Sequence, residues 1–274
     1  MSVKILCEIG INHNGDMNVV RKLIDVCSVA GVDYVKFQKR NPDKCVPENQ
    51  KNVLKQTPWG DMRYIDYKYK IELTEKDYKE IDDYCKQKNI KWFASAWDLD
   101  SAKFLKEFNL NIIKIPSAKI LDFELLRYCR LNFEKVLIST GMSTEEEIEQ
   151  SIFEGDPDII MHCNSAYPAN IEDLKLEYID HLKIKYLDKE IGYSGHEYGL
   201  VTTFAAVAIG VKWIERHITL DRSMWGSDQL ASIEPTGLFK LVKGIRDIEL
   251  AMGGFEDRKV LASELQKRNE LRGL

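Results

Sequence analysis

The sequence lacks the features that would assign it to the membrane, to secretion or to nucleic acid. Its 274 residues contain no run of the roughly 18 apolar residues that a membrane span needs. The apolar run before Glu8 is too short for a signal peptide. Lysine and arginine total 39 against 44 acidic residues, a net charge of −5, and no dense basic run could follow a phosphate backbone. We therefore expect a cytoplasmic protein that binds neither membrane nor nucleic acid.

Two further absences concern cofactors and cross-links. The six cysteines are scattered without a C-x-x-C pair, which argues against a disulfide framework and against a thiolate zinc site. No G-x-G-x-x-G turn follows the first predicted strand, which argues against a dinucleotide-binding, doubly wound sheet.

The chain alternates short β-branched or aromatic runs with segments of helical periodicity. We predict strands over Val3–Glu8, Asp33–Gln38, Lys91–Ala96, Asn111–Ile115, Lys135–Thr140, Asp158–Cys163, Glu190–Ser194 and Trp213–Thr219. We predict helices over Met17–Ala30, Glu75–Lys88, Asp122–Leu131, Thr144–Phe153, Leu200–Ile209 and Pro235–Met252. Eight such units in one chain predict an α/β fold of the (β/α)8 TIM-barrel class, because closure buries every strand edge. An open sheet is the alternative.

Two segments depart from the alternation. Residues 39–74 are polar and aromatic and far longer than an ordinary connection, so we interpret them as a lid or contact loop after the second strand. The charged residues 256–274 follow the last predicted helix. We expect a barrel domain over residues 1–255 and a tail or linker over residues 256–274.

Chemistry in such a barrel belongs to the C-terminal ends of the strands. The stretch "CEIGINHNG", residues 7–15, changes there from apolar to polar, with Glu8 at the rim. A buried carboxylate is costly unless it is paired, so we expect a cation, a metal or a substrate group beside Glu8. Asn12, His13 and Asn14 can instead cap the following helix.

Polar side chains recur at six further strand ends. They are Lys36, Gln38, Lys114, Ser117, Ser139, Thr140, His162, Asn164, Ser165, Tyr167, Ser194, His196, Glu215, Arg216 and His217. Any one alone is compatible with a hydrogen-bonded core residue, but their recurrence at matching positions predicts a single site.

Two subsets indicate particular chemistry. The positive charges of Lys36 and Lys114, with several serine hydroxyls, suit a small anion that carries a phosphate. His196 and His217 end neighbouring strands and can bind one divalent ion, or else serve as hydrogen-bonded structural residues.

The chain resembles the N-acetylneuraminate (sialic acid) synthases and their legionaminate and pseudaminate relatives. The resemblance covers roughly residues 4–254 and is carried, in chain order, by "EIGINHNG", "VKFQ", "IKIPSA", "ISTGMST", "HCNSAYP", "IGYSGHE", "IERHITLDR" and "GSDQLASIEP". It implies an enzyme that condenses phosphoenolpyruvate with an N-acetylated hexose, such as N-acetylmannosamine, into a nine-carbon 2-keto sugar acid. It also implies a homodimer and a divalent ion, Mn²⁺ or Mg²⁺.

The resemblance also implies roles for individual residues. The phosphoenolpyruvate set would be Lys36, Lys114, Ser117, Ser139 and Ser194. The groups around the sugar and its protons would be Glu8, Gln38, Tyr167, Glu215 and Asp228. We expect catalysis from Glu8, Glu215 and Lys114, a further substrate contact from Ser165, and metal binding by His196 and His217.

Three departures from the family pattern bear on the acceptor. Lys119 stands where many members have an acidic residue, and "FASAWD", residues 93–98, replaces "F-x-S-T-P-F". Many members also carry a C-terminal antifreeze-like domain that supplies an arginine, and we expect a form without it here. Arg40, Trp59 and Arg63 of the long loop are candidates to compensate.

Two other functions fit the same residues. A barrel aldolase would use Lys36 or Lys114 as a Schiff-base nucleophile. A non-catalytic protein would bind the sugar phosphate without turnover. Within the synthase reading, the acceptor can be N-acetylmannosamine, a diacetamido-trideoxyhexose or a sugar phosphate.

Overall fold

The computed structural model describes residues 2–254 and 257–273. The expected boundary between the barrel and the tail, at residues 255–256, lies outside the described residues.

Eight parallel strands close into a barrel, as predicted. In chain order the strands are β1 (Lys4–Gly10), β2 (Tyr34–Lys39), β3 (Leu54–Thr57), β4 (Gly60–Arg63), β5 (Lys91–Ala96), β6 (Ile112–Ile115), β7 (Lys135–Ser139), β8 (Ile159–Cys163), β9 (Glu190–Gly195) and β10 (Trp213–His217). Around the barrel the order is β1, β2, β5, β6, β7, β8, β9 and β10, and β10 pairs with β1 to close it. The predicted (β/α)8 barrel is therefore confirmed.

The helices follow the strands in the expected alternation. They are α1 (Met17–Ala30), α2 (Pro42–Cys45), α3 (Glu48–Lys51), α4 (Tyr64–Ile71), α5 (Glu75–Gln87), α6 (Leu99–Lys106), α7 (Phe123–Asn132), α8 (Glu145–Gly155), α9 (Tyr178–Lys185), α10 (Val201–Ala208), α11 (Pro235–Met252) and α12 (Ala262–Arg272). Among the described residues, none of these helices is long and apolar enough to cross a membrane.

The barrel interior is apolar at one end and polar at the other. A buried cluster inside the strands comprises Leu6, Phe93, Ile112, Leu137, Ile159, Met161 and Trp213. Side chains two positions apart on a strand point to the same face, so the residues that follow on the inner face are polar. Leu6 is followed by Glu8, and Trp213 by Glu215. The two-residue alternation of the strands thus places a layer of polar side chains next to the buried apolar cluster.

The long segment between β2 and α5 is ordered, which the sequence did not predict. It contains the helices α2 and α3, an antiparallel hairpin of β3 and β4, and then α4. The hairpin turns at Gly60, whose φ of +96° favours glycine, and Thr57 Oγ1 donates to the Gly60 carbonyl at 2.7 Å. The hairpin strands pair only with each other and are mostly exposed, so no alternation marks them in the sequence.

A buried ion pair ties β10 to the loop between β9 and α10. Arg216 and Glu197 are both buried, and Arg216 Nη1 lies 3.0 Å from Glu197 Oε1. Arg216 also donates to the Glu197 carbonyl at 2.6 Å, and Tyr193 donates to Glu197 Oε2 at 2.9 Å. Because neighbouring residues on a strand face opposite sides, Arg216 points out of the barrel while Glu215 and His217 point in.

We predict that Glu197→Ala destabilises the fold by about 3–5 kcal/mol, because it leaves the Arg216 charge buried without its partner. Urea unfolding followed by circular dichroism measures this. Asp66→Ala, which breaks an exposed pair with Arg63, is the control and should change the unfolding midpoint little. Equal midpoints for Glu197→Ala and the unmodified protein would contradict the prediction.

Candidate active site

The polar layer lines a cavity of about 240 Å³ at the C-terminal ends of the barrel strands. The predicted site residues that line it are Glu8, Lys36, Gln38, Lys114, Ser117, Ser139, Ser165, Tyr167, Ser194, His196, Glu215 and His217. Asp228 does not line this cavity but borders it, since its Oδ2 lies 3.7 Å from His217 Nδ1. The structure thus brings the predicted residues together, and their individual roles stay predictions.

Four oppositely charged side chains form one buried network on the cavity floor. The Lys36 ammonium pairs with Glu8 and lies 3.7 Å from Glu215 Oε2. Lys114 Nζ donates to Glu215 Oε1 at 2.7 Å, and Gln38 Nε2 donates to Glu8 Oε1 at 2.8 Å. All four charged residues are less than 5% exposed. Because each carboxylate lies beside an ammonium group of opposite charge, the four charges can be buried at the centre of a barrel without a prohibitive desolvation cost.

The two carboxylates of the network are not equivalent. Burial and the nearby Glu215 charge raise the pKa of Glu8 against the lowering effect of Lys36. Burial opposes ionisation of Glu215 as well, but the ammonium groups of Lys114 and Lys36 outweigh it and lower the pKa of Glu215. Two carboxylates with divergent pKa values are the arrangement that lets one stay ionised while the other exchanges a proton.

Backbone freedom at Gly10 makes room for this network. Gly10 has a φ of +53°, and a Cβ built there would lie 3.1 Å from Glu8 Oε1 and 3.2 Å from Gln38 Nε2. A larger residue would therefore press on the hydrogen bond between Glu8 and Gln38 as well as strain the backbone.

Hydroxyl groups face the same cavity. Ser194 Oγ donates to Glu215 Oε1 at 3.1 Å, and Ser117 Oγ lies 3.3 Å from Cys163 Sγ. Ser139 Oγ is buried and has no hydrogen-bond partner among the described residues. A buried hydroxyl without a partner is costly, so Ser139 is available to a bound ligand.

The two histidines suit a divalent ion in their chemistry. Burial, and next the facing His217, lower the pKa of His196 to about 3. Burial, with the positive charges of Lys36 and Lys114, lowers the pKa of His217 to about 3 against the opposing charge of Glu215, so both rings are neutral. His196 Nδ1 lies 2.5 Å from the Asn164 carbonyl oxygen, which fixes a proton on Nδ1 and leaves Nε2 with its lone pair. His217 Nδ1 is buried without a hydrogen bond among the described residues.

These histidines do not complete a cage by themselves. No group of three or more His, Cys, Asp or Glu side chains among the described residues is arranged to hold a metal. An ion held here would take its remaining ligands from water and substrate, which is how Mg²⁺ and open catalytic sites are commonly completed. The donor set fits a divalent ion and does not choose between Mn²⁺ and Mg²⁺.

Several cavity residues were not anticipated. Ser95 accepts from Lys36 Nζ at 2.9 Å, and Trp97, Met142 and Cys163 also line the cavity. Ser95 comes two residues after Phe93 of the buried apolar cluster inside the strands, so both side chains point into the barrel. The two-residue alternation along β5 could therefore have identified Ser95 from the sequence. Trp97 fills the wall where the sequence departs from the family, and the Arg40 guanidinium stacks 4.5 Å from the centre of its ring.

Other candidates lie elsewhere. Thr140 bonds the Met161 carbonyl and His162 bonds the Leu174 carbonyl, so both are satisfied structural residues, like Arg216. Lys119 is half-buried but does not line the cavity, although Ser117 does.

The two arginines of the long loop, which were candidates to replace the arginine of the antifreeze-like domain, differ in their positions. Arg40 is buried and donates to Gln38, which bonds Glu8, so it supports the charged network from behind. Arg63 is exposed and pairs with Asp66 at the surface, and it lines none of the described cavities. A sugar contact from Arg63 is therefore not supported.

The turn after β1 explains why "EIGINHNG" crowds polar and flexible residues. Asn12 Nδ2 donates to the Ile218 carbonyl at 2.8 Å and to Ser232 Oγ at 2.7 Å. Asn14 Nδ2 donates to the Trp225 carbonyl at 2.8 Å. The turn thus holds the loop after β10, which carries Asp228, against the barrel.

The same turn meets the long segment on its other side. Gly15 has a φ of +76°, and a Cβ there would lie 2.8 Å from the Lys70 carbonyl oxygen of α4. Only glycine permits this close approach. His13 is also structural: its Nδ1 accepts from Gly15 N at 2.9 Å, and burial lowers its pKa to about 4. Asp16, rather than Asn12 or Asn14, caps α1.

Comparison with known proteins agrees with this geometry. The sequence pattern of the NeuB family matches residues 23–257. The chain is 35% identical to the N,N'-diacetyllegionaminic acid synthase of Campylobacter jejuni, over 97% of this chain and 81% of that protein. It is 34% identical to the N-acetylneuraminate-9-phosphate synthase of Drosophila melanogaster, over 98% of this chain and 80% of that protein.

A solved structure is similar over nearly the whole chain. The N-acetylneuraminic acid synthetase of Leptospira borgpetersenii, crystallised with citrate, superposes with a TM-score of 0.86 at 33% identity, covering 99% of this chain and 93% of that one.

We predict that Asn12→Ala lowers the free energy of unfolding by about 1–3 kcal/mol, because the buried Ile218 carbonyl loses a donor. Urea unfolding measures the loss. Asn18→Ala, on the exposed side of α1, is the control for removing an asparagine amide. Equal free energies of unfolding for Asn12→Ala, Asn18→Ala and the unmodified protein would show that the Asn12 hydrogen bonds do not stabilise the contact between the two loops.

Proposed function

The chain belongs to the NeuB family, and from this premise we propose that it condenses phosphoenolpyruvate with an N-acetylated hexose. The products are a nine-carbon 2-keto sugar acid and inorganic phosphate. The observation that carries the proposal is the buried network of Glu8, Lys36, Lys114 and Glu215 on the floor of a cavity that also presents hydroxyls and two neutral histidines.

The lysines are the anchor for the enol phosphate. Each ammonium has three donors. Lys114 donates to Glu215, and Lys36 pairs with Glu8 and donates to Ser95, so neither uses all three. Lys36 and Lys114 therefore retain donors for a phosphate or carboxylate oxygen. Ser139, whose hydroxyl lacks a partner among the described residues, supplies a further contact. Charge-assisted bonds from such donors hold a small anion and fix the position of its reacting carbon.

The proposed reaction balances with water as the only additional reactant. Carbon 3 of phosphoenolpyruvate forms a bond to the aldehyde carbon of the open-chain sugar, whose oxygen takes up a proton. Water adds to carbon 2 and gives up a proton. The bond between carbon 2 and the bridging oxygen then breaks, a ketone forms, and inorganic phosphate leaves.

We propose different tasks for the two carboxylates of the network. Glu215, held by Lys114 and Ser194, stays ionised and stabilises the positive charge that develops at carbon 2. Glu8, the carboxyl with the raised pKa, gives a proton to the new hydroxyl and takes one from the attacking water.

His196 and His217 would hold a divalent ion, Mn²⁺ or Mg²⁺. The ion supplies Lewis-acid polarisation of the sugar carbonyl when bound. Tyr167 keeps the pair in place, because its ring centre lies 4.1 Å from that of His196 and 5.6 Å from that of His217.

The acceptor is the open part of the proposal. The relatives include one named for a legionaminic acid and one named for a sugar acid 9-phosphate, at nearly equal identity. The homodimer, the cytoplasmic location and the linker character of residues 256–274 stay predictions.

The reaction is tested with purified, metal-stripped protein, phosphoenolpyruvate and a panel of N-acetylated hexoses, with and without Mn²⁺. We expect inorganic phosphate and 2-keto acid in equal amounts, only with metal and with one class of sugar. A covalent adduct trapped by borohydride from a keto acid and Lys114, with activity unaffected by chelator, would instead establish the Schiff-base aldolase.

We predict that Glu8→Gln lowers kcat by about 100-fold or more, because the amide keeps the size of the carboxyl but cannot act as an acid or base near neutral pH. The KM for phosphoenolpyruvate should change little, since both lysines remain. Steady-state kinetics separate the two effects, and unfolding curves check the fold. A variant with kcat within a few-fold of the unmodified protein would remove Glu8 from proton transfer.

A further inference from the structure

A second cavity, of about 710 Å³, lies between α4 and the loop after β10. We name it the distal cavity, and the residues that matter in it are Lys55, Tyr64, Tyr67, Lys68, Arg222 and Trp225. The proposed reaction makes no use of it. Its lining combines aromatic rings with three cationic side chains.

Lys68 is the unusual member of this lining. It is only 8% exposed, and no carboxylate of the described chain lies within ion-pair distance of its ammonium group. Its nearest ring neighbours are Tyr64 and Tyr67, with Nζ 5.1 and 5.2 Å from their centres. Tyrosine faces attract a cation but do not neutralise it.

The other charges around Lys68 leave it uncompensated. Burial first, and then the positive charge of Arg40, lower the pKa of Lys68 to about 8. Asp228 and Glu72 oppose this from farther away, and Glu72 already pairs with Lys39 at 2.9 Å. The other buried lysines among the described residues, Lys36 and Lys114, each have a carboxylate partner. A buried cation without one indicates a site for an external anion.

Asp228 lies near residues of both the active-site cavity and the distal cavity. Asp228 Oδ2 lies 3.7 Å from His217 Nδ1 on one side, and its neighbour Ser227 lines the distal cavity on the other. Burial first, and then the negative charge of Asp228, raise the pKa of Tyr167 in the first cavity and of Tyr67 in the second. Asp228 is therefore close to residues that line both cavities.

The walls are held in place before any ligand binds. Asn14 donates to the Trp225 carbonyl, and Tyr67 packs edge-on against the Trp225 ring at 5.2 Å between centres. Gly15 permits the close approach of α4 itself. A cavity with fixed walls binds without a large ordering cost.

We infer that the distal cavity binds a phosphate monoester at the end of the acceptor sugar remote from the reacting aldehyde, with Lys68 as its buried counter-charge. This rests on the proposed function for the identity of the sugar end, and it narrows the acceptor to a hexosamine phosphate. A phosphate dianion suits the lining better than a single carboxylate, because Lys55 also faces the cavity. Arg222 contributes less, since it pairs with Glu234 at 3.3 Å.

The test compares the binding of three probes by isothermal titration calorimetry: N-acetylmannosamine, its 6-phosphate, and the corresponding 6-carboxylate sugar. We expect the unmodified protein to bind the 6-phosphate about tenfold or more tightly than the other two. Lys68→Met should bring the 6-phosphate to within a few-fold of the neutral sugar, whose own affinity stays the same.

Lys70→Met is the matched control. It removes the same charge from the same helix, but Lys70 is exposed and lies over Trp59. We expect it to retain the preference for the 6-phosphate. An equal loss in both variants would show only a general effect of net charge and would overturn the inference, as would a preference for the neutral or the 6-carboxylate sugar.

The same probes separate this inference from the proposed reaction. If the 6-phosphate binds in a Lys68-dependent way but no product forms with phosphoenolpyruvate, the distal site stands and the proposed reaction fails. If product forms readily from the neutral sugar and the 6-phosphate gives no advantage, the reaction stands and the distal site fails. Displacement of the 6-phosphate by phosphoenolpyruvate, unaffected by Lys68→Met, would place the anion on Lys36 and Lys114 and overturn the inference.

Discussion

The mutual compensation of four buried charges is the constraint on which the rest of the structure depends. Two carboxylates and two ammonium groups meet at the centre of a barrel, where any one alone would be costly. Glu215 lies near both Lys36 and Lys114, whereas Glu8 pairs with Lys36 alone and accepts a hydrogen bond from Gln38. That asymmetry, rather than the presence of acidic residues as such, gives one carboxyl a stable charge and the other a proton to exchange.

The positions of these charges follow from the simplest property of a strand. Apolar residues such as Leu6 and Trp213 fill one end of the barrel, and the next inward-facing residues, Glu8 and Glu215, form the floor of the site. Arg216, between inward-facing neighbours, serves the opposite face through its pair with Glu197. A one-residue shift in the pairing of β10 would turn Arg216 into the barrel and Glu215 out of it. The register of this strand therefore determines both the ion pair with Glu197 and the charge on the floor of the site.

The barrel and most of the cavity lining could be predicted because both rest on local periodicity. The eight barrel strands agree with the predicted ones to within about two residues at each end, and Met17–Ala30 and Pro235–Met252 agree at both ends. The hairpin of β3 and β4 could not be predicted, because its mostly exposed strands carry no alternation. The helices α6 and α9 are short and were also missed. Ser95 was missed although its strand was predicted, since its function appears only when Lys36 reaches across from β2.

The turn after β1 shows what a sequence motif can conceal. "EIGINHNG" joins a predicted catalytic residue, Glu8, to polar residues that the sequence offered as helix caps. In the structure Asn12 and Asn14 instead hold the loop after β10, and Gly15 allows the close approach of α4. The loop after β10 and α4 both line the distal cavity. The motif therefore positions Glu8 in the active-site cavity and also holds two walls of the distal cavity.

The central claim is that water attacks carbon 2 of phosphoenolpyruvate over this charged floor and that phosphate leaves with the bridging oxygen. Phosphoenolpyruvate labelled with ¹⁸O in the bridging position, turned over with the accepted sugar and divalent ion, tests it by mass spectrometry of both products. The account predicts that the label leaves in inorganic phosphate. Label retained in the 2-keto acid would mean that the oxygen–phosphorus bond breaks instead, and would contradict it.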